Sequence, residues 1–164
     1  MKKTLFLILF ALCHFVGKSQ SITASPGWNI SVPASTITEA GSNYTTNATS
    51  AINQTLVSLT MSGGLFGTTY TVRVHKIDTD WNSNLSLWVL RTGDGTGNAF
   101  FGGNITGGTT FTQLTSAPQT FYSGSTGFFG SSRNNVPIQY EIRGLSVLLP
   151  VKTYSTTVVY TISN

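Results

Sequence analysis

The chain has a single cysteine, Cys13, which lies within the first 19 residues, and we predict that these residues form a cleaved signal peptide. The mature chain would then contain no thiol. This excludes disulfide bonds, cysteine zinc sites and thiol nucleophiles, so the hydrophobic core must supply the stability. Residues 20–164 are long enough to bury one core, and we expect them to form a single domain.

The predicted signal peptide follows from the order of residue types at the start of the chain. Lys2 and Lys3 precede an apolar run over residues 5–16, and small residues follow it. The run is about a dozen residues, shorter than the ~20 that cross a bilayer, which favours a cleaved leader over a membrane anchor. We expect cleavage after Ser19, a mature chain that begins at Gln20 and has no membrane span, and a secreted, periplasmic or cell-surface location.

Charged residues are scarce, at 9% of the chain. Three of the nine basic residues lie in the predicted signal peptide, which leaves six against five acidic residues and a net charge of +1. The mature chain therefore has no basic stripe, and we expect no nucleic-acid partner. Its surface must consist largely of Ser, Thr, Asn and Gly.

No stretch after the signal peptide has the 3.6-residue period of an amphipathic helix. Short runs rich in Val, Ile, Thr, Tyr and Phe alternate with polar residues, and Gly, Asn and Ser separate them. These alternating runs are residues 28–32, 55–61, 69–77, 136–142 and 154–163. Residues 84–91 are apolar on both faces, which indicates a buried central strand. The pattern predicts an all-β fold, a single antiparallel Ig-like β-sandwich, with a closed barrel as the competing architecture.

One polar stretch has the spacing of oxygen ligands in a calcium loop. Asp78, Asp80 and Asn82 occupy positions one, three and five of such a loop, and Asp94 could join them from the next loop. Position six is Ser83 instead of glycine. The alternative is a hairpin turn between two strands, in which Asp and Asn side chains bond to their own backbone. The turn is the preferred interpretation, and calcium is the only cofactor that the sequence suggests.

Aromatic residues are the other candidates for ligand binding. Trp81 lies within the polar stretch, where an exposed indole could stack on a sugar ring or could instead fold over the end of a sheet. Trp28 and Trp88 lie in alternating runs and are predicted to be core residues. Two pairs of phenylalanines lie in glycine-rich segments and are candidates for exposed contacts: Phe100 with Phe101, and Phe128 with Phe129.

Catalysis has little support in the sequence. His75 is the only histidine after the signal peptide, and its place in an alternating run predicts a solvent-facing strand residue. No G-x-S-x-G motif is present, and no pair of carboxylates stands out as an acid and a base. We therefore expect a protein that is not an enzyme.

The last strands carry a motif of the form Y-x-T-T-x-x-Y-T-I, formed by Tyr154, Thr156, Thr157, Tyr160, Thr161 and Ile162. This segment resembles the closing strands of exported bacterial surface modules of the spore-coat-U and fimbrial-subunit type, and of WxL-type cell-wall domains. The resemblance covers about the last 30 residues, and the WxL signature would have Trp where Tyr160 stands. It implies a surface or appendage-type Ig-like fold.

These features favour a non-enzymatic structural or adhesive protein of a bacterial surface. Its partners would be other copies of itself or other surface subunits, joined by strand addition with residues 20–34 as the donor segment. Pro26 and Pro33 interrupt that segment, since proline cannot donate to a β-ladder. The alternative is a carbohydrate-binding module of β-sandwich type that holds a polysaccharide with Trp81 and the phenylalanine loops. A calcium-dependent secreted domain is the third hypothesis.

Overall fold

The computed structural model describes residues 20–33, 44, 47–61, 67–98, 104–127 and 130–163. The predicted signal peptide lies outside the described residues. Every regular element in the described part of the chain is a β-strand. The strands are β1 (Gln20–Ser25), β2 (Ala48–Thr49), β3 (Thr55–Met61), β4 (Thr69–Asp80), β5 (Ser86–Arg91), β6 (Thr96–Asn98), β7 (Ile105–Thr106), β8 (Thr112–Gln113), β9 (Gln119–Ser125), β10 (Ser131–Arg143) and β11 (Ser155–Ser163).

Across the described ranges these strands pair into two antiparallel sheets. The first sheet has the order β1-β3-β10-β5-β8, and the short strands β2 and β6 also pair with β10. The second sheet has the order β11-β4-β9-β7. The prediction of an all-β chain with two antiparallel sheets is confirmed, and the arrangement is consistent with a β-sandwich. The described residues include no helix with the length and hydropathy needed to cross a bilayer.

The core lies between the facing sides of the two sheets. Because side chains alternate along a strand, each long strand sends every second residue inward. The buried residues on β3, β4 and β10 are those that the alternating pattern predicts: Val57, Leu59 and Met61; Tyr70, Val72 and Val74; Val136, Ile138 and Tyr140. β11 turns Thr156, Val158, Tyr160 and Ile162 to one face, where they are half-buried.

β5 differs from its prediction as a strand buried on both faces. Leu87 and Val89 are buried, but Trp88 faces outward and is half-buried. The Arg143 guanidinium lies 3.9 Å from the centroid of the Trp88 ring, a cation–π contact on the outer side of the sheet. The outer face of β5 is covered only in part, since Trp88 keeps a partly exposed side chain there. Trp88 is therefore a surface residue under an arginine and not a core residue.

Residues 26–33 also differ from their prediction, because they form no strand although residues 28–32 alternate. Pro26 and Pro33 flank this segment, and neither has an N–H to donate to a ladder. The pairing of β1 with β3 ends at Ser25. Trp28 therefore reaches the edge of the core from an irregular segment.

The connection between β4 and β5 is not the predicted hairpin. β4 pairs with β11 and β9 in the second sheet, whereas β5 pairs with β10 and β8 in the first. Residues 81–85 therefore pass from one sheet to the other at one end of the molecule. Trp81 is the first residue of this crossing.

Candidate functional site: a cleft at the end of the sandwich

A cleft of about 960 Å³ is lined by residues of both sheets and of the segments that connect them. Four stretches that are far apart in the sequence supply most of its lining. They are residues 26–32 after β1, Trp81 and Leu85 of the crossing turn, residues 145–146 and 149–154 of the β10–β11 loop, and residues 155–158 of β11. Residues 145–154 form a loop that we call the rim loop.

The first wall is held by hydrogen bonds to the backbone of residues 26 and 27. The buried Thr55 hydroxyl donates to the carbonyl of Pro26 at 2.6 Å, and the Gln54 side-chain amide donates to the carbonyl of Gly27 at 2.9 Å. These bonds orient Trp28 so that its ring stacks on Tyr140, with 6.2 Å between ring centroids and 11° between ring planes. Trp28 is half-buried and lines the cleft.

Trp81 also lines the cleft and is half-buried. Its indole N–H donates to the carbonyl of Leu85 at 2.9 Å, which ties the ring to its own turn. The Lys76 ammonium lies 5.5 Å from the ring centroid. The two sequence hypotheses for Trp81 were a fully exposed platform and a buried plug. The ring lies between these extremes, packed against the core on one side and open to the cleft on the other.

The turn around Trp81 is stabilised by a hydrogen bond between the Asn82 side chain and the backbone of the same turn. The Asn82 side-chain oxygen accepts from the N–H of Asn84 at 2.9 Å, and the Asn82 carbonyl accepts from the N–H of Leu85 at 2.9 Å. Such a side-chain-to-backbone bond is the local motif expected of asparagine in a turn. Asn82 is therefore engaged in shaping this turn.

The two aspartates of the proposed calcium loop each contact a lysine. Asp78 pairs with Lys76 and accepts a hydrogen bond from the hydroxyl of Thr156 at 2.8 Å. Partial burial acts to raise the pKa of Asp78, but the hydrogen bonds from Lys76 and Thr156 outweigh it and lower that pKa. Asp80 pairs with Lys152 of the rim loop, and this hydrogen bond raises the pKa of the lysine.

Asp94, the fourth candidate calcium ligand, pairs with Arg91 at the end of β5. The structure thus gives Asp78, Asp80 and Asp94 three different cationic partners. Over the described ranges, no three His, Cys, Asp or Glu side chains come together as a metal site would require. A calcium site in this region stays a prediction.

The rim loop is ordered by its own hydrogen bonds. The Ser146 hydroxyl accepts from the N–H of Leu148 at 3.2 Å, and the Ser146 carbonyl accepts from the N–H of Leu149 at 3.1 Å. At its other end the Tyr154 hydroxyl donates to the carbonyl of Pro150 at 2.7 Å. The loop and β11 add hydroxyl groups to the aromatic lining; the hydroxyl-bearing residues are Ser146, Thr153, Ser155, Thr156 and Thr157.

Trp28, Tyr154 and the rim loop are cleft residues that sequence reasoning missed. Trp28 alternates with Ile30 and Val32 and so reads as a core strand residue. The prolines on either side of it were the available signal that this stretch leaves the sheet. For the rim loop, the local pattern gives no sign that it faces residues 26–32.

The remaining predicted residues are the four phenylalanines and His75. Phe100, Phe101, Phe128 and Phe129 lie outside the described residues, and their role stays a prediction. His75 lies opposite Val159 in the β4–β11 ladder and is half-buried instead of fully exposed. Within the described part of the chain its Nδ1 atom has no hydrogen-bond partner.

No protein-family model matches the chain, and no curated protein or solved structure does so either. The resemblance of the last strands to bacterial surface modules therefore stays an expectation.

Proposed function

We propose that this protein is a non-enzymatic, exported Ig-like domain of a bacterial surface that adheres by holding a neutral polysaccharide chain in the cleft. One observation carries the proposal. Two half-buried indole rings, Trp28 and Trp81, line the same cleft together with serine and threonine residues.

Sugar rings have apolar C–H faces and polar hydroxyl edges. An aromatic face can cover the apolar side, while short hydroxyl side chains exchange hydrogen bonds with the edges. Binding sites of this kind are mostly apolar with a few placed polar groups. The charged residues at the cleft favour a neutral ligand, because Lys152 is already paired with Asp80.

The size of the cleft favours a chain over a single sugar. Small-molecule sites are roughly 300–1,000 Å³, and a volume of about 960 Å³ is at the upper end of that range. A polysaccharide could enter through the open end between the sheets and lie along β11.

The test is retention on polysaccharides, compared between two tryptophan variants. We expect residues 20–164 to be retained in affinity electrophoresis by at least one neutral polysaccharide. Trp81→Ala should weaken this retention by about tenfold or more, because it removes one wall of the site. Trp88→Ala is the matched control, since Trp88 lies on the outer face of the first sheet and should leave retention unchanged.

Melting curves for both variants must show that each remains folded at the temperature of the assay. Equal retention of Trp81→Ala and the unmodified protein would contradict the proposal. Failure of every neutral polysaccharide in a broad panel would contradict it as well.

Strand addition is the second candidate function, and β1 is the observation that favours it. β1 pairs with β3 through all six residues from Gln20 to Ser25, yet most of its side chains are exposed. Its attachment therefore comes mainly from backbone hydrogen bonds, which the same segment of a second copy could supply equally well. In the described structure this segment completes its own sheet.

Light scattering over a wide concentration range tests this assembly. We expect residues 20–164 to form oligomers that grow with concentration, and a variant that lacks residues 20–25 to form fewer of them. This deletion spares residues 26–32 of the cleft but removes Ala24, which also lines it. A full-length chain that stays monomeric at every concentration would rule the assembly out.

A further inference from the structure

Charge is almost absent from the lining of the cleft. Among the described residues that line it, Lys152 of the rim loop is the one with a charged side chain. Asp80 pairs with this lysine but does not itself line the cleft. The described lining therefore offers a charged ligand a single cation, and the charge of that cation is already balanced.

Both partners of this ion pair are held in place by other contacts. Asp80 is the last residue of β4 and lies opposite Ser155 in the β4–β11 ladder, so the second sheet fixes the position of its backbone. The Lys152 ammonium lies 5.2 Å from the centroid of the Tyr154 ring, and the Tyr154 hydroxyl donates to the carbonyl of Pro150 in the same loop. Because the Tyr154 ring also lines the cleft, we expect the ammonium to stay beside the cleft when the carboxylate is removed.

We propose that Asp80 determines the charge selectivity of the cleft: paired with Lys152, it restricts the cleft to neutral polysaccharides, and without it the cleft also holds acidic ones. The inference rests on the proposed carbohydrate-binding function and names the residue that limits its class of ligand. Asp80 is a positioning residue, because it acts through Lys152 and through its own charge without lining the cleft.

An acidic group on the polysaccharide changes the interaction at Lys152 and leaves the rest of the ligand as it was. The sugar rings keep the apolar faces that Trp28 and Trp81 can cover. A carboxylate accepts strong hydrogen bonds from an unpaired ammonium, but here Asp80 occupies that ammonium and repels a second carboxylate. The side chains of Lys152 and Asp80 are 45% and 50% exposed, so water screens both charges, and the effect on affinity should be about threefold.

Titration of tryptophan fluorescence with two probes measures this selectivity. The probes are a neutral polysaccharide that the protein retains and the carboxymethylated form of the same polysaccharide, which has the same backbone and a negative charge. The quantity compared between proteins is the ratio of the two dissociation constants, acidic over neutral. We expect residues 20–164 to bind the neutral form at least about threefold more tightly than the acidic form.

Two variants should shift this ratio in opposite directions. Asp80→Asn should lower it by about threefold, because the Lys152 ammonium then meets the ligand unpaired. Lys152→Gln should raise it, since the unpaired Asp80 carboxylate then repels an acidic ligand. The matched control is Asp94→Asn, which changes the net charge by the same amount as Asp80→Asn. Asp94 pairs with Arg91, and neither of these residues lines the cleft, so the control should leave the ratio unchanged.

Salt separates an effect of charge from a change in the shape of the rim loop. The shift caused by Asp80→Asn should be largely lost at about 0.5 M salt, because salt screens exposed charges. A shift of the same size at high salt would contradict the inference. Melting curves check that each variant is folded at the temperature of the titration.

The same ratio for Asp80→Asn and the unmodified protein would overturn the inference, and so would an equal shift in Asp94→Asn. Loss of both affinities in Asp80→Asn would overturn it as well, because Asp80 would then shape the cleft instead of selecting the charge of the ligand. All of these results leave the carbohydrate-binding function standing. If the unmodified protein bound no neutral polysaccharide, the proposed function and this inference would both be wrong.

Discussion

Gly144→Ala is expected to lower the midpoint of thermal unfolding by about 10 °C, which corresponds to a loss of about 3 kcal/mol in the free energy of unfolding. Gly144 follows β10 with φ at +87°, a backbone conformation that residues with a Cβ rarely adopt. A Cβ at this position would also overlap the backbone oxygen of Asn84. The rim loop and the crossing turn meet here, so the change should also weaken polysaccharide retention.

Gly27→Ala is the matched control for this change. Gly27 also lines the cleft, but a Cβ built on it meets nothing within 4 Å, and its φ is not in the positive range. We expect its melting midpoint to stay within about 2 °C of that of the unmodified protein, since surface changes of this kind alter stability by about 0.5 kcal/mol or less. Calorimetry of the two variants measures the difference. Equal melting midpoints for the two variants would contradict the prediction, because they would show that alanine is tolerated at position 144 without loss of stability.

Alkaline pH is expected to lower the stability of the domain progressively as the pH rises above about 10. Tyr122 and Tyr140 are buried in the core, and the Tyr160 hydroxyl lies 2.9 Å from that of Tyr140. Burial raises the pKa of all three phenols above 10.0, since desolvation penalises the phenolate. The Tyr122 hydroxyl has no hydrogen-bond partner within the described structure.

The sign of this effect follows from proton binding. Above pH 10 the unfolded chain releases these phenolic protons and the folded chain keeps them, so the folded state binds more protons and becomes less stable as the pH rises. The contribution of each phenol to stability is fully present below the pKa that the phenol has in the unfolded chain. It is lost as the pH rises from that value through the higher pKa of the folded chain. Each such phenol contributes about 1.4 kcal/mol per pH unit within the interval between its own unfolded and folded pKa. Domains of this size have roughly 5–15 kcal/mol in total.

Denaturant unfolding at a series of pH values, with phenolate absorbance recorded in parallel, measures this loss. The buried phenols should ionise only as the chain unfolds. Tyr160→Phe should make the slope of stability against pH smaller, because it removes one of the phenols whose pKa burial raises. A stability that stays constant from pH 9 to about pH 12 would contradict the burial of these tyrosines.

For strands with one face in the core and the other in solvent, the sequence was sufficient to predict which side chains are buried. In β3, β4 and β10 the apolar residues recur every second position, and the side chains at those positions are the buried ones. This inference succeeds because the period of two is a local property of an extended chain. It fails at β5, where both faces are apolar and the pattern cannot tell a covered outer face from an open one.

From the sequence alone it follows that the chain is built from strands, and the alternation of residue types places β3, β4, β5, β10 and β11 but not the other six strands. The sequence also placed a polar turn around Asn82. The tertiary structure alone decided the pairing of β3 with β10, the crossing of residues 81–85 between the sheets, and the meeting of Trp28, Trp81 and the rim loop at one cleft. Pairing and sheet packing depend on contacts between residues far apart in the chain, and these contacts leave no trace in the alternation of any one strand.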